Sequence, residues 1–196
     1  MYYFSMSNLI LASASPRRRE LLKQLEKDFT VLPSSFDESS VNAYLPPRKL
    51  VIELAKGKAL AVAKEQARGV TVLGSDTVVA FKKRVLGKPK DETEAEEMLA
   101  LLSGKKHAVY TGVCFVADGK IFTAACKTEV FFEKLSKEFI QTYIESGSPM
   151  DKAGGYGIQD GGLVKKIRGS YSNVVGLPVE LCGKMLNKLK KKGLFV

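Results

Sequence analysis

The chain is predicted to be an α/β protein with a mixed, partly antiparallel sheet and helices around it. Three observations carry this reading. Apolar runs bounded by turn residues alternate with stretches of helical, 3.6-residue periodicity. The stretches 107–117 and 120–133 flank Asp118-Gly119, the strongest short hairpin signal. No self-similarity recurs at periods of about 20 to 50 residues and no tract is of low complexity, which excludes solenoids, propellers and disordered chains.

Leu9-Ile10-Leu11-Ala12 reads as a short strand. Ser15 then serves as N-cap to a helix whose first position is Pro16, where a fixed φ is favourable; the helix is expected to run to about Glu26 with Leu21, Leu22 and Leu25 inward. A second helix starts near Pro47 and carries Leu50, Val51, Leu54, Ala55 and Val62 on one stripe. Val70 to Phe81 is an apolar run long enough for a central strand, and Lys88-Pro89 ends the next short one. Asp91 caps a helix in which Glu94 completes a capping-box spacing and Ala95, Met98, Leu99 and Leu102 face the core; Ser103-Gly104 stops it. Ser136 opens a helix to about Ser146, a glycine-rich loop covers 154–162, and a last helix runs from Val179 into a lysine-heavy end.

Length and composition narrow the class. The 196 residues are 45% apolar and 27% charged, and a chain of that size buries roughly 70% of its unfolded surface. One domain, or two closely joined lobes, needs no disulfide support. Cys114, Cys126 and Cys182 form neither a CxxC pair nor an even set and read as reduced residues of a cytosolic protein. The opening Met1-Tyr2-Tyr3-Phe4-Ser5 lacks the positive region of a signal peptide, and no apolar stretch approaches a membrane span, so a cytoplasmic protein is expected. His107 is the only histidine, which rules out a multi-histidine metal site. Catalysis would therefore run mainly on carboxylates, lysines and arginines. The net charge of +10 favours polyanionic partners: nucleic acid, an anionic membrane or phosphorylated small molecules.

Several residues ask for a reason. Ser13-Ala14-Ser15-Pro16-Arg17-Arg18-Arg19 sets hydroxyls and guanidiniums at a helix N-terminus, where cations oppose the dipole unless an anion sits between them. Arg19 fits a solvated first turn. Asp76 lies in the apolar run Val72 to Val79, where an unpartnered carboxylate costs several kcal/mol. It must face a cation, either a structural lysine or a metal at a cleft. Lys58 stands on the apolar seam of its helix, four residues after Leu54; snorkelling is the commoner fate of such a lysine. Asp37 and Glu38 read on composition as surface acids, and Lys88 alone carries no signal. The segment Asp151 to Gln159 could wrap a small ligand, yet it is neither a Walker A loop nor a dinucleotide fingerprint. Lys184, Lys188, Lys190, Lys191 and Lys192 read as a solvated helix face, with a nucleic-acid or lipid footprint as the alternative.

Taken in order, Ala12 to Arg18 with Glu20-Leu21-Leu22, Gly74-Ser75-Asp76-Thr77, Gly87-Lys88-Pro89, Tyr110-Thr111-Gly112, Asp151-Lys152-Ala153-Gly154 with Tyr156-Gly157-Ile158-Gln159, and Gly169-Ser170-Tyr171 to Pro178 resemble the Maf-like nucleoside triphosphate pyrophosphatases. The resemblance implies one domain over residues 1–196, with two lobes flanking a central cleft and a fold like that of the inosine triphosphate pyrophosphatases. It implies hydrolysis of a nucleoside triphosphate to the monophosphate and pyrophosphate with a divalent cation, Mg²⁺ or Mn²⁺, and a homodimer. Asp76 matches the family's proton acceptor; Arg17, Thr77 and Gln159 match its specificity positions. Glu38, Lys58, Arg18 and Lys88 match residues around metal and phosphates, with Glu38 and Asp76 as metal ligands; Ser13 and Asp151 fall in cleft motifs. Gly157-Ile158-Gln159, Gly169-Ser170-Tyr171 and Val174 to Pro178 look like the branch acting on dTTP and UTP, with modified pyrimidine nucleotides as further substrates. Two departures stand out: only nine residues separate Gln159 from Gly169, and Asp160 stands where glycine is common. Neither a membrane nor a nucleic acid is the partner this resemblance implies. Rival readings are the same hydrolysis directed at other bases, and a nucleic-acid-binding or cell-division regulatory protein that uses the nucleotide site as a sensor.

Overall fold

The computed structural model describes residues 8–82 and 84–195; the opening Met1 to Ser5, read above for an export signal, lies outside them. The elements follow as β1 (Leu9–Leu11), α1 (Pro16–Leu22), β2 (Thr30–Val31), α2 (Pro47–Ala63), β3 (Thr71–Phe81), β4 (Arg84–Leu86), α3 (Glu92–Leu102), β5 (Lys106–Ala117), β6 (Lys120–Phe132), α4 (Lys137–Glu145), β7 (Val164–Arg168), α5 (Tyr171–Val175) and α6 (Val179–Lys191). Short 3₁₀ turns occupy Glu38–Ser40, Ser148–Asp151, Ala153–Gly155 and Ile158–Asp160.

The strands form one mixed sheet in the order β2-β1-β3-β5-β6-β7, and β4 also pairs with β3. β1 runs parallel to β2 and β3, and the remaining pairs are antiparallel. The expected hairpin joins β5 to β6 through Asp118 (φ 46°) and Gly119 (φ 73°), the double positive φ of a type I′ turn. Ser15, Asp91 and Ser136 cap their helices as read from the sequence, each accepting a backbone N–H three residues on.

One edge of β3 is interrupted. β1 pairs with it only as far as Leu73, and β4 begins only at Val79, so Gly74 to Val78 has no strand neighbour on that side among the described residues. Its other edge is paired continuously with β5 from Thr71 to Ala80. Asp76 and Thr77, which point to opposite faces of the sheet, therefore both reach one opening.

α2 lies directly on the sheet because two glycines permit it. A Cβ on Gly74 would stand 2.3 Å from the Ala55 carbonyl oxygen, and one on Gly112 would stand 2.1 Å from that of Val51. On the opposite face β3 and β5 run through two apolar clusters. Leu73, Val113 and Phe115 pack with Leu22, Leu186 and Leu189 of α1 and α6, whereas Val79, Phe81 and Val109 pack with Leu99, Ile140 and Ile144 of α3 and α4. Between the clusters the same face carries Ser75, Thr77 and Thr111, and the cleft opens at this polar waist.

The structure corrects two boundaries. α1 ends at Leu22 rather than about Glu26, because Gln24 and Leu25 bond three residues back, to Leu21 and Leu22, and close tighter turns. The stretch read as a glycine-rich loop holds two of the 3₁₀ turns and leads into β7, an edge strand whose Val-Lys-Lys-Ile-Arg sequence is largely solvated and shows no alternation. The five-residue α5, capped by Ser170, was likewise invisible to periodicity.

Candidate active site

A cavity of about 520 Å³ opens at the interrupted edge of β3. It is lined by the charged side chains of Arg17, Arg18, Glu38, Lys58, Asp76 and Lys88 and by the apolar ones of Leu50 and Leu54 of α2, Val78, Val85 and Ile158. A smaller adjoining hollow of about 300 Å³ adds Ser13 and shares Arg17, Arg18, Lys58 and Lys88. Such a lining, cations together with apolar walls, suits a phosphorylated ligand with a flat organic part.

Asp76, 7% exposed, has the cation its position demands. Lys58 Nζ donates to Asp76 Oδ1 at 2.5 Å and pairs with Glu38 Oε1 at 2.8 Å. Lys58 thus turns inward from α2 instead of snorkelling, since α2 sits flat on the sheet directly over Asp76. Asp37 and Glu38 separate here. Asp37 caps the 3₁₀ turn by accepting the Ser39 N–H at 3.0 Å, while Glu38 faces the cleft. Among the described residues no group of three His, Cys, Asp or Glu side chains converges as a complete metal cage. Two carboxylates drawn to one ammonium nevertheless fit Mg²⁺ or Mn²⁺, which bind through one or two carboxylates and complete their shells with water and phosphate oxygens.

Arg18 is held by three acceptors: its Nε donates to the Gly176 carbonyl at 2.9 Å, Nη1 to Ser13 Oγ at 3.3 Å and Nη2 to Thr77 Oγ1 at 3.2 Å. Burial lowers its pKa, and the Asp76 carboxylate works in the opposite sense. Arg17 reaches across the cleft mouth, where Nη1 pairs with Asp151 Oδ2 at 2.7 Å and Nη2 donates to the Asp151 carbonyl at 3.2 Å. Burial opposes ionisation of Asp151, but hydrogen bonds from Lys152 and Arg17 outweigh it and hold its carboxyl below the usual carboxylate range. With Asp151 58% exposed, this rim pair contributes at most about 1 kcal/mol and is readily exchanged for an incoming anion; the buried Lys58–Asp76 pair is not.

The cleft therefore assembles, from separate segments of the chain, the residues singled out in the sequence. A sequence model of the family described as Maf-like protein matches residues 8–189. The chain belongs to the Maf-like family. It is 50% identical over 179 residues to a dTTP/UTP pyrophosphatase of Thermococcus gammatolerans, covering 90% of this chain and 94% of that one. It is 47% identical over 188 residues to a dTTP/UTP pyrophosphatase of Bacillus cereus strain B4264, covering 95% and 96%. In fold this Maf-like chain is similar to a HAM1 protein from Coxiella burnetii, with a TM-score of 0.51 at 15% identity over 92% of this chain and 98% of that one. The Staphylococcus aureus Ham1 protein gives 0.50 at 13% identity with the same coverage.

Some residues of this Maf-like cleft were given no role by the sequence reading. Thr77 Oγ1 lies 3.0 Å from Thr111 Oγ1, which donates to the Asn173 carbonyl at 2.9 Å; Asn173 Nδ2 donates to the Val109 carbonyl and to Thr128 Oγ1. This buried chain locks α5 onto β3, β5 and β6 beneath Thr77. Apart from Thr77, its sequence signals were the blocks Tyr110 to Gly112 and Gly169 to Pro178, which carried the resemblance but no chemistry. Lys152 too lines the cavity. Gln159 sits exposed on the Ile158–Asp160 turn at the cavity rim.

His107 is no nucleophile's partner. It is buried beside Phe132, bonds Tyr156 Oη at 2.7 Å, and burial lowers its pKa to about 4. Cys114 and Cys182 are free, buried and pushed up to about 12 by that burial, as expected of apolar filler. Lys184, Lys188, Lys190 and Lys191 of α6, and Lys192 just after it, are exposed and line neither hollow. No described helix is long and apolar enough to cross a membrane.

Proposed function

We propose that this Maf-like chain hydrolyses dTTP and UTP, and modified pyrimidine triphosphates of the same shape, to the monophosphate and pyrophosphate. One observation carries the reading: the buried Asp76 and the cleft-facing Glu38 converge on Lys58 in a cavity lined by both cations and apolar side chains. A nucleotide laid along the cavity puts its base against the apolar walls and its phosphates among Arg17, Arg18, Lys58 and Lys88.

Attack on the α-phosphorus of a tetraanion needs charge neutralisation first. Arg17 leaves Asp151 for phosphate oxygens, and Arg18, fixed by Ser13, Thr77 and Gly176, presents its remaining N–H donors in a set direction. Glu38 and Asp76 would hold the divalent cation, Mg²⁺ or Mn²⁺, which when bound supplies further neutralisation of the phosphates. Asp76 orients a water molecule and takes its proton as the water oxygen bonds to the α-phosphorus. The bond from that phosphorus to the bridging oxygen breaks, and its electron pair leaves with pyrophosphate, whose charge Lys58 and Lys88 meet. At the other end, the amide of Gln159 offers a donor and an acceptor matched to O4 and N3–H of uracil or thymine. Residues 1–196 act as one domain, and the homodimer and cytoplasmic setting implied by the resemblance go with this reading.

Purified protein with Mg²⁺ and a panel of nucleoside triphosphates tests it. Pyrophosphate and monophosphate, formed fastest from dTTP and UTP, are expected. Orthophosphate with a nucleoside diphosphate as main products would overturn it, and gel filtration reads the oligomeric state.

A further inference from the structure

The side chain of Gln159 makes no hydrogen bond to the protein among the described residues, so the direction of its amide depends on the backbone of the turn that carries it. That turn is braced from below. Tyr143 of α4 donates to Asp160 Oδ2 at 2.5 Å and accepts the Gly157 N–H at 3.0 Å, so one hydroxyl ties both ends of the segment 157–160 to a helix of the core. Ser148 Oγ donates to the same carboxylate oxygen at 2.7 Å, and Lys152 Nζ lies 3.9 Å from it. The Asp160 carboxylate folds back over Gly157, where a Cβ would stand 2.7 Å from its Oδ2 and 2.8 Å from Lys152 Cε. Only glycine there lets the brace close. Burial first, and the bond to Asp160 second, raise the Tyr143 pKa to about 12, so its hydroxyl keeps the proton it donates.

The geometry points to Asp160 as a positioning residue for base recognition: through Tyr143 and Ser148 it holds the Gln159 turn in the conformation that meets the pyrimidine edge. This inference rests on the role given to Gln159 above. Lys152 extends the brace, since its ammonium also bonds Asp151 Oδ1 at 2.8 Å and Asp151 holds Arg17. The turn at the base end and the arginine at the phosphate end thereby share one polar chain along the cleft rim.

The test compares Asp160→Ala, Asp160→Asn, Tyr143→Phe and Gln159→Ala in the full chain. Calorimetry with Mg²⁺ measures binding of a dTTP analogue whose α,β-bridge is not hydrolysable, and of inorganic tripolyphosphate, which reads the phosphate end alone. Asp160→Ala and Tyr143→Phe should weaken the analogue on the order of 10-fold, the weight of one hydrogen bond, and leave tripolyphosphate within about twofold. Asp160→Asn keeps an acceptor for Tyr143 and should recover most of the loss; in turnover, Asp160→Ala and Tyr143→Phe should raise KM for dTTP with kcat within about twofold. Equal weakening of both probes, or no change in either, overturns the positioning role. If Gln159→Ala weakens the analogue while Asp160→Ala does not, the positioning role alone fails. If Gln159→Ala changes nothing, base reading by Gln159 fails and the inference with it.

Discussion

Lys58 Nζ stands 2.5 Å from Asp76 Oδ1, and its side chain and that of Asp76 are 13% and 10% exposed. An ion pair so shielded is costly to break from one side, because the remaining charge has little water to turn to. The ammonium bridges Asp76 and Glu38, the two carboxylates proposed to hold a divalent cation, and so keeps them together.

Lys58→Met should therefore destabilise the protein by about 3 kcal/mol, and Mn²⁺ should restore part of the loss by supplying the missing positive charge. Thermal unfolding of variant and parent with and without Mn²⁺ measures this. A variant as stable as the parent, or one that Mn²⁺ does not rescue, would remove the shared cation position from the account.

Asp76→Asn keeps the shape of the side chain but loses its charge and basicity. Turnover of dTTP should fall at least about 100-fold, the usual scale for a general base, while nucleotide binding stays measurable. Single-turnover kinetics beside a binding isotherm separates the two, and a kcat like the parent's excludes Asp76 from proton transfer.

Gln159→Ala leaves the cations of the cleft untouched. Losing one or two neutral hydrogen bonds to the base, each worth roughly 1–3 kcal/mol, should lower kcat/KM for dTTP about 10- to 100-fold. Activity on dGTP should fall less, since a purine does not match the same donor and acceptor pattern. The ratio of the two kcat/KM values is the measurement; an unchanged ratio returns specificity to Arg17, Thr77 or residues 160–168.

His107 predicts a pH dependence of stability. Its pKa is about 4 when folded, against an ordinary value of 6.5, so the unfolded chain binds the extra proton between these limits. Stability should then be lost as pH falls through that window, by up to a few kcal/mol. His107→Gln, which offers Tyr156 a partner but does not titrate, should flatten the decline between pH 6.5 and 5, above the range where most carboxylates protonate. An identical decline in the variant would assign it to other groups.

Most of the fold was legible because its signals are local. Ser15 before Pro16, Asp118-Gly119 between two strands and the 3.6-residue stripe of α2 each state their conformation within a few residues. β7 and α5 were not, since one is a solvated edge without alternation and the other too short to show a period. In the site, Asp76 declared itself because a carboxylate among apolar neighbours requires a cation wherever the chain folds. Which cation answers it, and whether Lys58 turns inward or toward water, is settled by Gly74 and Gly112 letting α2 lie flat on the sheet.

The residue types of the chemistry, the apolar strand around Asp76 and the basic helix start at Arg17 and Arg18 are thus determined by the amino-acid sequence alone. Only the tertiary structure decided that Arg17 meets Asp151 across 134 residues, that Lys58 bridges Glu38 and Asp76, and that Asp160 and Tyr143 brace the turn bearing Gln159. The reason is range. Propensity, capping and burial act through neighbours along the chain, whereas these pairings join residues far apart in sequence and exist only once the elements that carry them have assembled.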